Sequence, residues 1–331
     1  MEGVVLLACL EHFVIRPWLQ AKRPPAKAAV VQEITNRGEI IRPFAEEARL
    51  PVSMRESFPA WYPPQVSLSG DGKAMFELQK MLSEETRLPI ETVNSIGMKF
   101  RLIPNGNCLI GSPEDEPGHS PVETLHYRDF PAPFYLGMYE VTQAQWETVM
   151  GTENNPSHFR GAEQPVEEVS WYDCQEFILK LCALEGLPER AYQLPTEAEW
   201  EYACRSGTSS AYCFGNSPEK LGLWADFADN NYKRPNKVGR RLPNALGLFD
   251  MHGNLWEWCR DTFQNYPGDF SPSGEVNSWR NIRGGNWHVD AKSCRSANRC
   301  RLPGKSVGNM LGFRILRTID LENLLTTKST K

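Results

Sequence analysis

Basic runs longer than two residues, such as Arg240-Arg241, are missing from this chain, and so is any basic excess: 36 Lys and Arg stand against 41 Asp and Glu, a formal net charge of -5. That balance argues against a phosphate-backbone binder, which needs a cationic face, so no nucleic-acid partner is expected. Long apolar runs are scarce too. Val4 to Leu10 is stopped by Glu11 and has no basic segment ahead of it, so the sequence predicts no membrane span and no clear signal peptide. The nine cysteines form no C-x-x-C pair and have no regular spacing. Neither a zinc ribbon nor a secreted disulfide framework is indicated, and reduced thiols in a cytoplasmic setting are expected.

What the chain does have is 25 Gly, 25 Pro and 10 Trp in 331 residues, with 11% aromatic content, which points to a loop-rich, aromatic-cored fold of one large domain or two ordinary ones. Its centre of gravity is Leu242 to Cys259, where Pro, Asn, Gly, two acids and two Trp follow one another without a helical or strand period. This reads as an ordered loop running into a short strand. Asp250 and Glu257 flank the Gly253-Asn254 turn. They are either solvated loop acids or, with inward backbone carbonyls, an oxygen nest for a hard cation such as calcium.

Residues 1–92 differ from the rest. Proline-rich breaks at Arg23 to Lys27 and Phe58 to Pro64 surround short helical patterns, one with Met75, Leu78, Met81 and Leu82 on its apolar face. This region is expected to be a partly ordered extension. Alternation over Ile96 to Pro104 followed by Cys108 to Ser112 predicts a hairpin that opens the main domain. Thr142, Ser170 and Thr196 are N-cap candidates for three helices, and the acids after Thr196 read as helix-start electrostatics rather than a catalytic cluster. Arg283 to Trp287, Cys294 to Arg299 and Leu311 to Leu316 read as late strands.

Taken in order, Tyr135 to Thr142, Pro165-Val166 with Val169-Ser170-Trp171, Leu194 to Ala203, Gly247 to Trp258, Arg283 to Trp287, Cys294 to Ala297 and Leu311 to Arg314 closely resemble the formylglycine-generating enzyme, or sulfatase-modifying factor, family. The resemblance implies an α+β, C-type-lectin-related fold over residues 93–318, with twisted antiparallel strands, flanking helices and much irregular loop. Residues 319–331 are left as a tail. It also implies a calcium site at Asp250, Gly253, Leu255 and Glu257, all suitably filled here. A second calcium site in the family corresponds to a shortened segment, where Asp226 and Asn230 are remnants.

The family's activity is oxidation of a substrate cysteine at copper(I) held by two thiolates. In step with the family, the second copper cysteine falls on Cys294, but the first falls on Val289 and the active-site Ser becomes Asn286. One thiolate and an isopropyl group do not make a two-sulfur site, so copper is not expected. Cys300 lies too far along an extended strand to substitute, roughly 20 Å between Cα atoms. Cys294 is then a buried small residue or a reactive thiol; His288 lacks an orienting acid for a Cys-His pair. A family branch with a three-His iron site is excluded by the single His, His12, in residues 1–92.

Three functions remain as expectations. One is a calcium-stabilised module that binds a protein or peptide through Trp256, Asn286, Trp287, His288 and Arg299. The second is a protein-modifying oxidoreductase of divergent mechanism. The third is an accessory part of a larger assembly through the N-terminal extension.

Overall fold

Three helices start on the same device. Thr142, Ser170 and Thr196 each take up extended backbone, accept a hydrogen bond from the amide three residues on, and receive the side chain of Gln145, Asp173 or Glu199 on their own amide. These boxes satisfy the otherwise unpaired donors of the first turn and fix where each helix begins. The computed structural model describes residues 72–231, 233–263 and 279–320. In chain order they give α1 Gly72–Thr86, β1 Glu91–Val93, β2 Lys99–Ile103, β3 Gly106–Ile110, β4 His126–Phe130, β5 Phe134–Gly137, α2 Gln143–Met150, α3 Trp171–Leu184, β6 Tyr192–Gln193 and α4 Glu197–Arg205. Then follow β7 Trp256–Thr262, β8 Trp279–Arg283, β9 Cys300–Pro303, β10 Leu311–Gly312 and β11 Leu316–Arg317.

Three sheets result: β1-β2-β5-β11-β6, β10-β7-β8-β9 and the pair β3-β4. Every pairing between these strands is antiparallel except β10 with β7. The fold is thus α+β with several antiparallel sheets and few helices, as expected. The expected hairpin of β2 with β3 does not form. Pro104 has no N–H to offer a ladder, and the two strands part there: β2 pairs with β1 and β5, and β3 with β4.

Two further strand expectations are corrected. The run Arg283 to Trp287 stops being a strand at Arg283, because Gly284 and Gly285 follow with φ of 99° and 78°. Ala291–Cys294 is a 3₁₀ turn, with Asp290 capping Ser293, and the next strand starts only at Cys300. The geometric premise for separating Cys294 from Cys300 therefore falls. Cys294 is free, whereas Cys300 is disulfide-bonded, which the expectation of reduced thiols did not include.

The α1 helix belongs to the core. Met75, Leu78 and Leu82 are buried, the first two against Ile103, Cys108, Phe134, Trp200 and Leu248. Gln79 Nε2 donates to the Leu102 carbonyl of β2 at 2.7 Å. The expected boundary at residue 92 therefore falls inside the folded unit; residues 1–71 of the extension, with Pro24, Pro59 and His12, and the tail beyond 320 lie outside the described residues. Among the described residues no helix is long and apolar enough to cross a membrane.

Candidate functional site

The loop that precedes β7 is tied down by one amide side chain. Asn244 Oδ1 accepts the amides of Leu246 and Leu248, each at 3.1 Å, while its Nδ2 donates to the Ala203 and Cys204 carbonyls at the end of α4. Further on, Asp250, Gly253 and Asn254 all have positive φ. At Gly253 a Cβ would lie 2.3 Å from the Asp226 carbonyl oxygen, so only glycine fits.

This turn gathers acids. Glu140 accepts from the Leu255 amide at 3.0 Å and from Asn254 Nδ2 at 2.6 Å. Asp250 accepts from the Gly239 amide at 2.6 Å. Glu257 accepts from Trp200 Nε1 at 2.8 Å and from Arg314 on both oxygens. Burial pushes Asp250 up to about 7, with Asp226 and Glu257 adding to the rise. Burial also drives Glu140 well above the usual carboxylate range, with Asp250 and Glu257 contributing. One guanidinium, Arg314, thus faces three buried carboxylates. Asp250, Gly253, Leu255 and Glu257 offer oxygen donors of the class a hard cation takes, but both Glu257 oxygens are engaged by Arg314 and Trp200, and among the described residues no group of three or more His, Cys, Asp or Glu is placed to hold a metal ion. Glu140 was not legible as a member because it lies more than a hundred residues earlier, with no motif to mark it.

Asp226 and Asn230 do not fit a second ion. Asp226 Oδ1 accepts from Arg241 Nε at 3.0 Å and Nη2 at 2.5 Å. Asn230 uses Oδ1 on the Phe227 amide and Nδ2 on the Ala225 carbonyl.

Cys294 is completely buried in an apolar cluster with Ala211, Tyr212, Leu221, Ala225 and Phe227, and Val289 packs against that same cluster. A Cβ on Gly285 would stand 2.7 Å from Cys294 Sγ. Burial drives the thiol well above its ordinary value, with Asp290 adding to the rise and the Asn286 amide opposing it. That burial favours the protonated form of the thiol. His252 links its neighbours: Nδ1 meets the Cys294 carbonyl at 2.8 Å and Nε2 accepts the Cys213 amide at 3.2 Å. A carbonyl only accepts, so Nδ1 is the donor in that contact.

The expected binding face is partly overturned. Trp256 is only 2% exposed, and Arg299 grips Glu197 through Nε at 2.7 Å and Nη2 at 2.8 Å, with Nη1 on the Val122 carbonyl. Neither is a surface anchor. Asn286 is buried, its Oδ1 accepting the His288 amide at 2.7 Å. Trp287 packs with Leu255, Met310 and Phe159. What reaches the surface is a row of edge-to-face rings, from exposed His158 through half-buried Phe159 and buried Trp287 to half-buried His288. His158 and Phe159 were missed, since nothing local marks them.

Residues 90–319 match the sulfatase-modifying factor enzyme 1-like (FGE-sulfatase) domain. The chain belongs to that family. It is 31% identical over 232 residues to the chaperone protein LppX of Paenibacillus barcinonensis, covering 56% of this chain and 80% of that protein. It is 33% identical over 168 residues to the mouse inactive C-alpha-formylglycine-generating enzyme 2, covering 46% of this chain and 48% of that one, so it spans about half of that relative. Among solved structures it is similar to Treponema denticola variable protein 1, at a TM-score of 0.62 and 27% identity, covering 70% of this chain and all of that one.

Within the sulfatase-modifying factor scaffold, Val289 and Cys294 border one buried cluster, as the register of the family motifs requires. The position matched to the first of the two expected sulfurs, Val289, carries an isopropyl group instead. These residues do not fit a copper(I) pair.

Proposed function

We propose that this chain is a sulfatase-modifying-factor-like protein without copper oxidase activity, working as a calcium-stabilised module that binds a protein or peptide. The observation that carries the reading is Val289 packed into the cluster around the buried, protonated Cys294. A soft monovalent ion needs thiolates, and here a single thiol is held neutral by burial. Calcium, when bound at Asp250, Gly253, Leu255 and Glu257, supplies positive charge to an acid-rich turn. The chain's own part is to hold that turn against Trp200 and Arg314. The ring row at His158, Phe159, Trp287 and His288 offers apolar and polar edges to a peptide. A chaperone and an inactive enzyme among the relatives are consistent with binding without oxidation.

The experiment is incubation of the full chain with a cysteine-containing sulfatase-type peptide, copper and oxygen, followed by mass spectrometry. An unchanged peptide is expected. Loss of about 18 Da, the thiol-to-aldehyde change, supports the divergent oxidase instead. In parallel, suppression of aggregation of a chemically unfolded protein is expected, and it should weaken in Phe159→Ala. An unaltered aggregation rate counts against the binding reading.

A further inference from the structure

Asp226 is held as a buried acid normally holds a metal ion, but the cation is organic. Its side chain is 1% exposed and lies close enough to Asp250 to raise that group. Arg241 places two N–H groups on one carboxylate oxygen and anchors a third on the Gly222 carbonyl at 2.7 Å; the Arg240 guanidinium stands 3.7 Å from the same oxygen. The other oxygen, Oδ2, is buried and has no partner. The Asp226 carbonyl accepts the Asn254 amide at 2.8 Å, so this acid is also tied to the turn of the main acidic cluster.

We infer that the Arg241 guanidinium is the resident cation of this loop and stands in for the second calcium ion of the family. Calcium needs six to eight oxygens at about 2.3–2.6 Å. Around Asp226 the amide of Asn230 faces inward to its own backbone, and a fixed positive group stands where a divalent ion would have to approach. Coulomb repulsion at such distances excludes a second cation. The loop is therefore closed without a metal, and the charge that a soluble ion would deliver is built into the chain. A guanidinium cannot be chelated away, so this half of the acidic region should not respond to calcium depletion.

The test compares the full chain with Arg241→Ala, Asp226→Asn and the double variant Asp226→Asn with Arg241→Met, by melting curves in chelator and in millimolar calcium and by counting bound calcium after dialysis. The comparison is a difference between variants, so it stands whether or not the Asp250 site binds calcium. Arg241→Ala should melt lower by about 10 °C in both buffers, since it strands a buried carboxylate, and should bind no more calcium than the unaltered chain, because Arg240 and the shortage of oxygen donors remain. Asp226→Asn should change no calcium count. The double variant should melt near the unaltered chain in both buffers. An ion on the unaltered chain that Asp226→Asn removes would overturn the inference. So would Arg241→Ala that melts normally in chelator. If Arg241→Ala does not fold in either buffer, the double variant decides: recovery supports the inference and failure overturns it.

Discussion

Glu257 and Arg314 form a two-pronged pair in the interior, Nε to Oε2 and Nη2 to Oε1, each at 2.6 Å. The same guanidinium donates to the carbonyls of Gly137 at 3.1 Å and Phe249 at 2.9 Å. One side chain thus ties β5, the acidic loop and β7 together. Replacing one partner leaves a buried charge unmatched, which usually costs about 3–5 kcal/mol. Arg314→Met should therefore lower the urea midpoint sharply. The double variant with Glu257→Gln should recover part of the loss; no loss in the single variant would contradict the assignment.

Glu167 gives a pH dependence of definite sign. Its Oε1 accepts the Phe159 amide at 2.7 Å, Oε2 is buried without a partner, and burial raises the group from 4.5 to about 7. A carboxyl whose folded pKa exceeds its unfolded value favours folding while protonated. Its contribution is most favourable below about pH 4.5, declines as pH rises to about 7 and is level above that. Glu167→Gln should remove this slope and stabilise the chain at pH 8 by on the order of 2–3 kcal/mol, read from denaturant curves at pH 5 and pH 8. Equal effects at the two pH values would contradict it.

Calcium binding at Asp250 should release a proton, because burial pushes this carboxyl up from 3.8 to about 7. Calorimetric titration should show affinity rising between pH 6 and pH 8, by at most about tenfold per pH unit below 7. The heat should vary with the ionisation enthalpy of the buffer. Binding of equal strength at both pH values, without buffer dependence, would count against Asp250 as a ligand.

A chain beginning at Val93 should be badly destabilised. It loses α1, whose Met75, Leu78 and Leu82 are buried, and each such side chain is worth about 1.5–3 kcal/mol. A chain beginning at Gly72, which keeps α1, should melt higher than the chain beginning at Val93. Equal melting temperatures for the chains starting at 72 and 93 would show that α1 is dispensable.

The parts of this fold that were legible in the sequence are those set by local chemistry. Thr142, Ser170 and Thr196 announce their helices because a cap and its partner lie three residues apart. Pairings set at long range were not legible. The β2 and β3 strands look like a hairpin by adjacency, yet each finds another partner, and β7 takes parallel β10 from the far end of the domain. The same holds for the site. Val289 stands out only through the spacing of the family motifs, whereas Arg241 and Arg314 lie 15 and 57 residues from the acids they neutralise. Arg299 and Trp256 have the composition of surface anchors. Composition does not reveal a buried partner such as Glu197, 102 residues from Arg299.

The account depends most directly on the lone sulfur at Cys294, and copper(I) titration of the reduced protein against a competing chelator measures it. No stoichiometric tight binding is expected, either in the unaltered chain or in Cys294→Ala. One tightly held copper(I) per chain that disappears in Cys294→Ala would contradict the account.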